Sequence, residues 1–153
     1  APKHFLSWSN NLTWKNFDLS VFFRGTFGFD VFNMRKYGMG LQGCGTDNVL
    51  RSAYLEDKNI RTGGGVISSY FLEDGSFIKL ENVTLGYNFT PKNRKLLDNM
   101  RIYLSAKNLF TLTGYSGNDP SIIDVNGIQP GVDSNSAYPT ATQLSLGVTL
   151  RFK

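Results

Sequence analysis

Hydrophobic and polar residues alternate with a period of two in five separate stretches, which predicts five β-strands, each with one apolar and one polar face. The first, about Phe5 to Trp14, sets Leu6, Trp8, Leu12 and Trp14 against Ser7, Ser9, Asn11 and Thr13, with Asn10 interrupting the apolar side. The second, about Phe17 to Phe27, sets Phe17, Leu19, Val21 and Phe23 against Asp18, Ser20, Arg24 and Thr26, with Phe22 as the exception. The third, about Phe77 to Phe89, ends in a clean alternation of Val83, Leu85, Tyr87 and Phe89 with Asn82, Thr84, Gly86 and Asn88. In the fourth, about Arg101 to Leu112, Ile102, Leu104, Ala106 and Phe110 oppose Arg101, Tyr103, Ser105 and Lys107, and Asn108 falls on the wrong side. The fifth, Gln143 to Phe152, alternates without a break.

The connections carry as much information as the strands. Lys15-Asn16 joins the first two tightly, and the compact segment Thr90 to Met100 joins the third and fourth. In that segment Pro91 stops the strand, and Lys95-Leu96-Leu97 is expected to form a helical turn. The other two connections, Gly28 to Ser76 and Thr113 to Thr140, are long. Short, long, short, long is the order of an antiparallel up-and-down sheet with all its short turns at one end. Transmembrane barrels have this asymmetry, with short periplasmic turns and longer extracellular loops. The alternation by itself also suits a soluble β-sandwich whose polar faces meet water, so both architectures stand at this point.

Composition narrows the choice a little. Aromatics make up 14% and charged residues only 18%, which favours β structure. No window approaches the run of roughly 18 apolar residues that a membrane helix needs, a test to which barrels are blind. The net charge of +4 is modest, and the densest basic cluster, Lys92, Arg94 and Lys95, falls in a turn; nucleic-acid binding is not expected. The start, Ala1-Pro2-Lys3-His4-Phe5, does not resemble a signal peptide, so an exported protein is expected to continue upstream of it.

Candidate chemistry is sparse. His4 and Cys44 are the only histidine and cysteine and lie far apart in sequence, so neither a nucleophilic pair nor a Cys/His metal site is expected, and Cys44 has no internal disulfide partner. Asp119, Asp124 and Asp133 share one long connection and are the candidates for a hard cation, although their spacing departs from that of a dedicated calcium loop. Asp119-Pro120 also reads as a fixed turn. Gly63-Gly64-Gly65 lacks the Lys-Ser/Thr of a phosphate loop, and the sequons at Asn11, Asn82 and Asn88 lie inside strands. Tyr37, Tyr54, Tyr70, Tyr115 and Tyr138 fall in or beside the long connections, as candidates for ligand or lid contacts and equally for loop packing. No cofactor and no enzymatic activity is expected.

The last strand carries Ser145, Gly147, Leu150 and Phe152, a pattern that resembles the assembly signal read by the outer-membrane insertion machinery, with Lys153 as one extra residue after the aromatic. Ser76 to Phe89, Ala106 to Pro120, Pro130 to Phe152 and the early segment Lys15 to Gly25 resemble, in order, the SusC/RagA-like TonB-dependent transporters of Bacteroidetes. The resemblance implies that residues 1–153 are the C-terminal segment of a barrel of about 22 strands in the outer membrane. It further implies import of glycan fragments or peptides, a SusD-like surface lipoprotein over the mouth, and a plug, absent from this sequence, that engages the TonB complex. The alternative function is a soluble β-sandwich carbohydrate-binding module.

Overall fold

The computed structural model describes residues 1–40, 48–55, 67–91, 97–123, 130–134 and 138–152. Cys44, the glycine run 63–65, the basic cluster at 92, 94 and 95, Leu96, Asp124 and Lys153 lie outside the described residues. In chain order the strands are β1 (His4–Trp14), β2 (Phe17–Phe27), β3 (Asp30–Asn33), β4 (Leu72–Asp74), β5 (Phe77–Phe89), β6 (Leu97–Thr113), β7 (Val132–Asp133) and β8 (Gln143–Phe152). Two short helices, α1 (Met34–Met39) and α2 (Ser52–Leu55), follow β3, and 3-10 turns span Ser69–Phe71 and Pro120–Ile122. All five expected strands are present. β6 begins four residues earlier than the alternation predicts, so Leu97 is strand rather than part of a helical turn.

The chain divides into two compact units. The sheet unit, Phe5–Gly25, Ile78–Leu112 and Thr140–Lys153, carries the body of a five-stranded sheet in the order β1-β2-β5-β6-β8. Chain order and spatial order agree throughout, so every connection joins neighbours and the sheet is antiparallel and up-and-down. Lys15 turns the first hairpin with a left-handed φ of 55°, the sign that fits the right-handed twist of the flanking strands. Strand length matches a bilayer. The eleven residues of β2, at about 3.3 Å each and tilted about 45°, cross about 25 Å, the height of the apolar band of an outer-membrane barrel.

The loop unit comprises Ala1–His4, Thr26–Phe77 and Thr113–Pro139. Its small sheet has the order β4-β3-β7. β3 pairs antiparallel with β4, Val31 opposite Glu73, and parallel with β7, Asn33 opposite Asp133. Two packed apolar clusters of described residues lie here: Phe29, Val31, Phe77, Tyr115 and Ile123 in one, and Phe71 with Phe32, Tyr37 and Tyr70 in the other. The large sheet has no comparable core among its described residues. On β8 the apolar side chains stay exposed: Leu146 keeps 74% of its surface and Val148 57%.

Candidate functional site: two sheet faces and a loop cleft

The register of β6 against β8 sorts side chains strictly by polarity. Met100, Ile102, Leu104 and Ala106 lie opposite Leu150, Val148, Leu146 and Leu144, while Arg101, Tyr103, Ser105 and Lys107 lie opposite Thr149, Gly147, Ser145 and Gln143. Because directly paired residues share a face, one side of this ribbon is wholly aliphatic and the other polar. Arg101, Lys107 and Arg151 fall on the polar side, Arg151 opposite Asn99. Two departures from alternation have local causes. A register shift between Leu97 and Asn99 disrupts the start of β6. Asn108 takes a left-handed φ of 52°, a conformation asparagine tolerates better than most residues. Its Nδ2 donates to the Ala141 carbonyl at 3.2 Å, and its own carbonyl accepts from Thr142 Oγ1 at 2.9 Å. For Asn10 the finding is bare: its Oδ1 is buried and accepts no hydrogen bond among the described residues.

The polar face is braced across strands. Arg101 Nε and Nη2 donate to the two carboxylate oxygens of Asp18 in a bidentate pair, and Asn88 Nδ2 donates to Asp18 Oδ1 at 2.8 Å. Asp18 is on β2 and Arg101 on β6, with β5 between them in the sheet. They meet because the intervening residue is Gly86, where a Cβ would stand 2.5 Å from each carboxylate oxygen. Arg101 also lies over the Tyr103 ring, 5.2 Å from its centroid. That ring covers Gly147, where a Cβ would come within 2.5 Å of the Tyr103 hydroxyl oxygen; an aromatic shielding a cross-strand glycine is a known stabilising pair. Thr84 Oγ1 donates to Ser105 Oγ at 3.1 Å, and Arg24 pairs with Glu81 at 3.2 Å. Aromatic rings gather in two groups: Trp14, Phe17 and Tyr87 beside the first turn, and Trp8, Phe23 and Phe110 nearer the long connections.

In the loop unit a polar knot holds three segments together. Asn33, 2% exposed, caps α1 by accepting from the Lys36 amide at 2.9 Å, while its Nδ2 donates to Glu73 Oε1 at 3.3 Å and Ser116 Oγ at 3.1 Å. Glu73 also accepts from the Ser116 amide at 2.9 Å and pairs with Lys36 Nζ at 3.7 Å. No periodicity announces this knot, since its members lie 40 and 83 residues apart. Beside it, Arg35 and Met39 of α1, Asn118, Asp133 of β7 and Ser134 line a cleft of about 380 Å³.

The sequence candidates are distributed as follows. Tyr37 and Tyr70 pack edge-on against Phe71, and Lys36 lies 4.3 Å over Tyr70. Tyr54 and Tyr138 are exposed. Tyr115 is buried, and its hydroxyl donates to Asp133 Oδ2 at 2.6 Å. Asp119 caps the second 3-10 turn through the Ser121 amide at 2.9 Å, with extended backbone before Pro120. Asp119 and Asp133 are thus occupied separately, and no group of three metal-ligating side chains forms among the described residues. His4 opens β1 on an exposed position. Of the terminal pattern, Ser145 and Gly147 lie on the polar face, and Leu150 and Phe152 are exposed, Phe152 opposite Leu97.

Burial, with the hydrogen bond to Asp133 second, pushes the Tyr115 phenol far above its ordinary value. A folded-state value raised this way contributes stability that is complete below pH of about 10 and lost as the pH rises beyond it, where the unfolded phenol ionises. In an alkaline titration followed by phenolate absorbance, Tyr115→Phe is therefore expected to remove a late-ionising tyrosine. Loss of an early-ionising one instead would contradict the buried pair.

No family model matches the chain. A TonB-dependent receptor of Formosa agariphila is 27% identical over 173 residues, covering 99% of this chain and 16% of that protein. The TonB-dependent receptor SusC of Bacteroides thetaiotaomicron is 28% identical over 153 residues, covering 94% of this chain and 14% of SusC. Among solved structures, the RagAB peptide importer in its closed-closed state matches with a TM-score of 0.76 at 24% identity, over 98% of this chain and 17% of that one. Its open-open state matches at 0.73 and 22%. This chain thus spans about a sixth of the length of these relatives. In sequence and in fold it is SusC/RagA-like, of the kind found in TonB-dependent receptors.

Proposed function

We propose that these 153 residues are the C-terminal part of the wall and mouth loops of an outer-membrane TonB-dependent importer of glycan fragments or peptides. One observation carries this: the in-register separation of β6–β8 into an aliphatic face that stays exposed and a polar, internally braced face. A soluble sandwich would cover Leu146 and Val148 with a second layer. A barrel wall turns them to lipid and turns Arg101, Lys107 and Arg151 to the lumen. Trp14, Phe17 and Tyr87, gathered beside the first turn, suit a membrane interface at that end of the strands. The remaining parts of the machine follow from the same reading: a SusD-like lipoprotein over the loop end, and a plug engaging TonB elsewhere in the polypeptide. Ser145, Gly147, Leu150 and Phe152 serve as the signal to the insertion machinery. The role is transport and not catalysis.

Paired cysteines test the faces. In the full-length protein in native membranes, with Cys44 replaced by serine, Leu146→Cys is expected to react with a lipophilic maleimide and resist a water-soluble one. Ser145→Cys is expected to show the reverse. A Leu146→Cys protein that resists both reagents, or is recovered from the soluble fraction, would favour the sandwich module.

A further inference from the structure

We propose that Asn10 forms a polar pin with the barrel strand that precedes β1, a side chain of that strand donating a hydrogen bond to the Asn10 amide oxygen inside the hydrocarbon layer. The inference deepens the importer reading, and rests on it for the membrane and for the preceding strand.

Asn10 interrupts the apolar face formed by Leu6, Trp8, Leu12 and Trp14. Two aromatic pairs fix its place in the hairpin. Trp14 stacks on Phe17 with centroids 6.5 Å apart, and Trp8 meets Phe23 at 5.6 Å. Both pairs are symmetric about the Lys15-Asn16 turn, so the hairpin keeps one register between them and Asn10 stands across from Val21. Strand geometry then gives its depth. Asn10 lies four residues from Trp14 at the turn end of β1 and six from His4 at the other. At about 3.3 Å per residue and a tilt of about 45°, those separations are about 9 and 14 Å along the bilayer normal. A short amide cannot snorkel that far, as lysine or arginine would.

The Asn10 oxygen is buried and accepts no hydrogen bond among the described residues. It has lost water without gaining a donor, a costly position, and hydrocarbon offers none. Val21 has no donor in its side chain. The other side of β1 is where a donor can stand: β1 ends the order of the five-stranded sheet, with β2 as its neighbour. An open strand edge is itself untenable in a bilayer, so the complete barrel lays another strand there. The chain spans about a sixth of its relatives' length, which leaves ample polypeptide for that strand. Facing side chains on neighbouring strands stand about 5 Å apart at Cβ, and a rotamer change turns the Asn10 oxygen toward them. The partner is then a neutral donor: Ser, Thr, Asn, Gln, Tyr or Trp. Such a pair also selects register. A slip of two residues keeps every apolar side chain on the lipid face, but it parts the two polar groups.

The test uses the full-length protein in native membranes, with Cys44 replaced by serine. Asn10→Cys is combined with single cysteines along the preceding strand, and oxidation identifies the residue that faces position 10. That residue is expected to be a hydrogen-bond donor. It is then replaced by valine, alone and together with Asn10→Leu, and unfolding is followed in lipid vesicles. Valine alone is expected to lower the folding equilibrium about three- to tenfold, the worth of one hydrogen bond, and to cost nothing in the Asn10→Leu background. Overturning results are a facing residue without a donor, costs that simply add, or Asn10→Cys cross-linking two copies of the protein, which would assign the amide to a subunit contact. The membrane reading is scored separately through Leu146→Cys. Lipid-facing labelling there without coupling at Asn10 removes the pin and leaves the barrel; water-accessible labelling with the coupling intact removes the barrel and leaves a pair within an ordinary sheet.

Discussion

Leu146→Lys is expected to lower the stability of the inserted full-length protein by about 2–4 kcal/mol, the cost of lysine on a barrel's lipid face near the bilayer midplane. Ser145→Lys, one residue away, is expected to cost much less, because Ser145 pairs with Ser105 on the polar face, whereas Leu146 pairs with Leu104 on the aliphatic one. The difference corresponds to about a 30- to 900-fold change in the folding equilibrium, well within the range of a denaturant titration in lipid vesicles. The neighbouring position controls for strand propensity, register and added charge, all of which the two substitutions share. Equal costs at the two positions would mean that neither face meets hydrocarbon, and the transmembrane reading would fall.

The second large effect concerns Gly86→Ala. Its new methyl would stand 2.5 Å from both Asp18 oxygens and 2.8 Å from Arg101 Nε, so the ion pair must open. Hydrogen bonds to charged groups contribute about 1.5–3 kcal/mol, but Arg101 and Asp18 side chains keep 35% and 26% of their surface exposed. Solvent therefore recovers part of the loss, and a cost of about 1–2 kcal/mol is expected. A double-mutant cycle separates this from a generic effect of the extra methyl. In an Asp18→Ala background Gly86→Ala should cost far less, since no carboxylate remains to be displaced. Full additivity would show that the glycine serves something other than the pair.

Much of the sheet was legible because alternation is a local property: β2, β5 and β8 have the bounds the pattern predicts. The failures are equally physical. β6 starts early because the register shift near Asp98 scrambles the alternation there. Asn108 was a misfit because one left-handed residue resets which side the chain shows next. The brace on the polar face could not be seen, since nothing local distinguishes Gly86 and Gly147 from turn-type glycines; their role depends on Asp18, Arg101 and Tyr103 arriving from other strands. The loop unit was almost wholly hidden. β3, β4 and β7 have four, three and two residues, too few for a period to register. They persist through pairings such as Phe32 with Val132, far away in sequence. Arg35 and Asn118 gave no signal for the same reason, whereas Asp133 stood out merely as one acid among several.

The uneven placement of packed interior has a consequence for how such a protein drifts over evolutionary time. Val31, Phe71 and Phe77 are enclosed by fixed neighbours, so a replacement there must reproduce volume and shape or open a cavity. Leu144, Leu146 and Val148 project from the sheet, and under the transmembrane reading their neighbour is a liquid, which has no shape to match. Leucine, isoleucine, valine and phenylalanine are nearly interchangeable there provided each stays apolar. Two substitution clocks should run in one chain: in the strands, free exchange within the apolar class and no crossing out of it; in the loop unit, slow exchange governed by size wherever the side chain is enclosed.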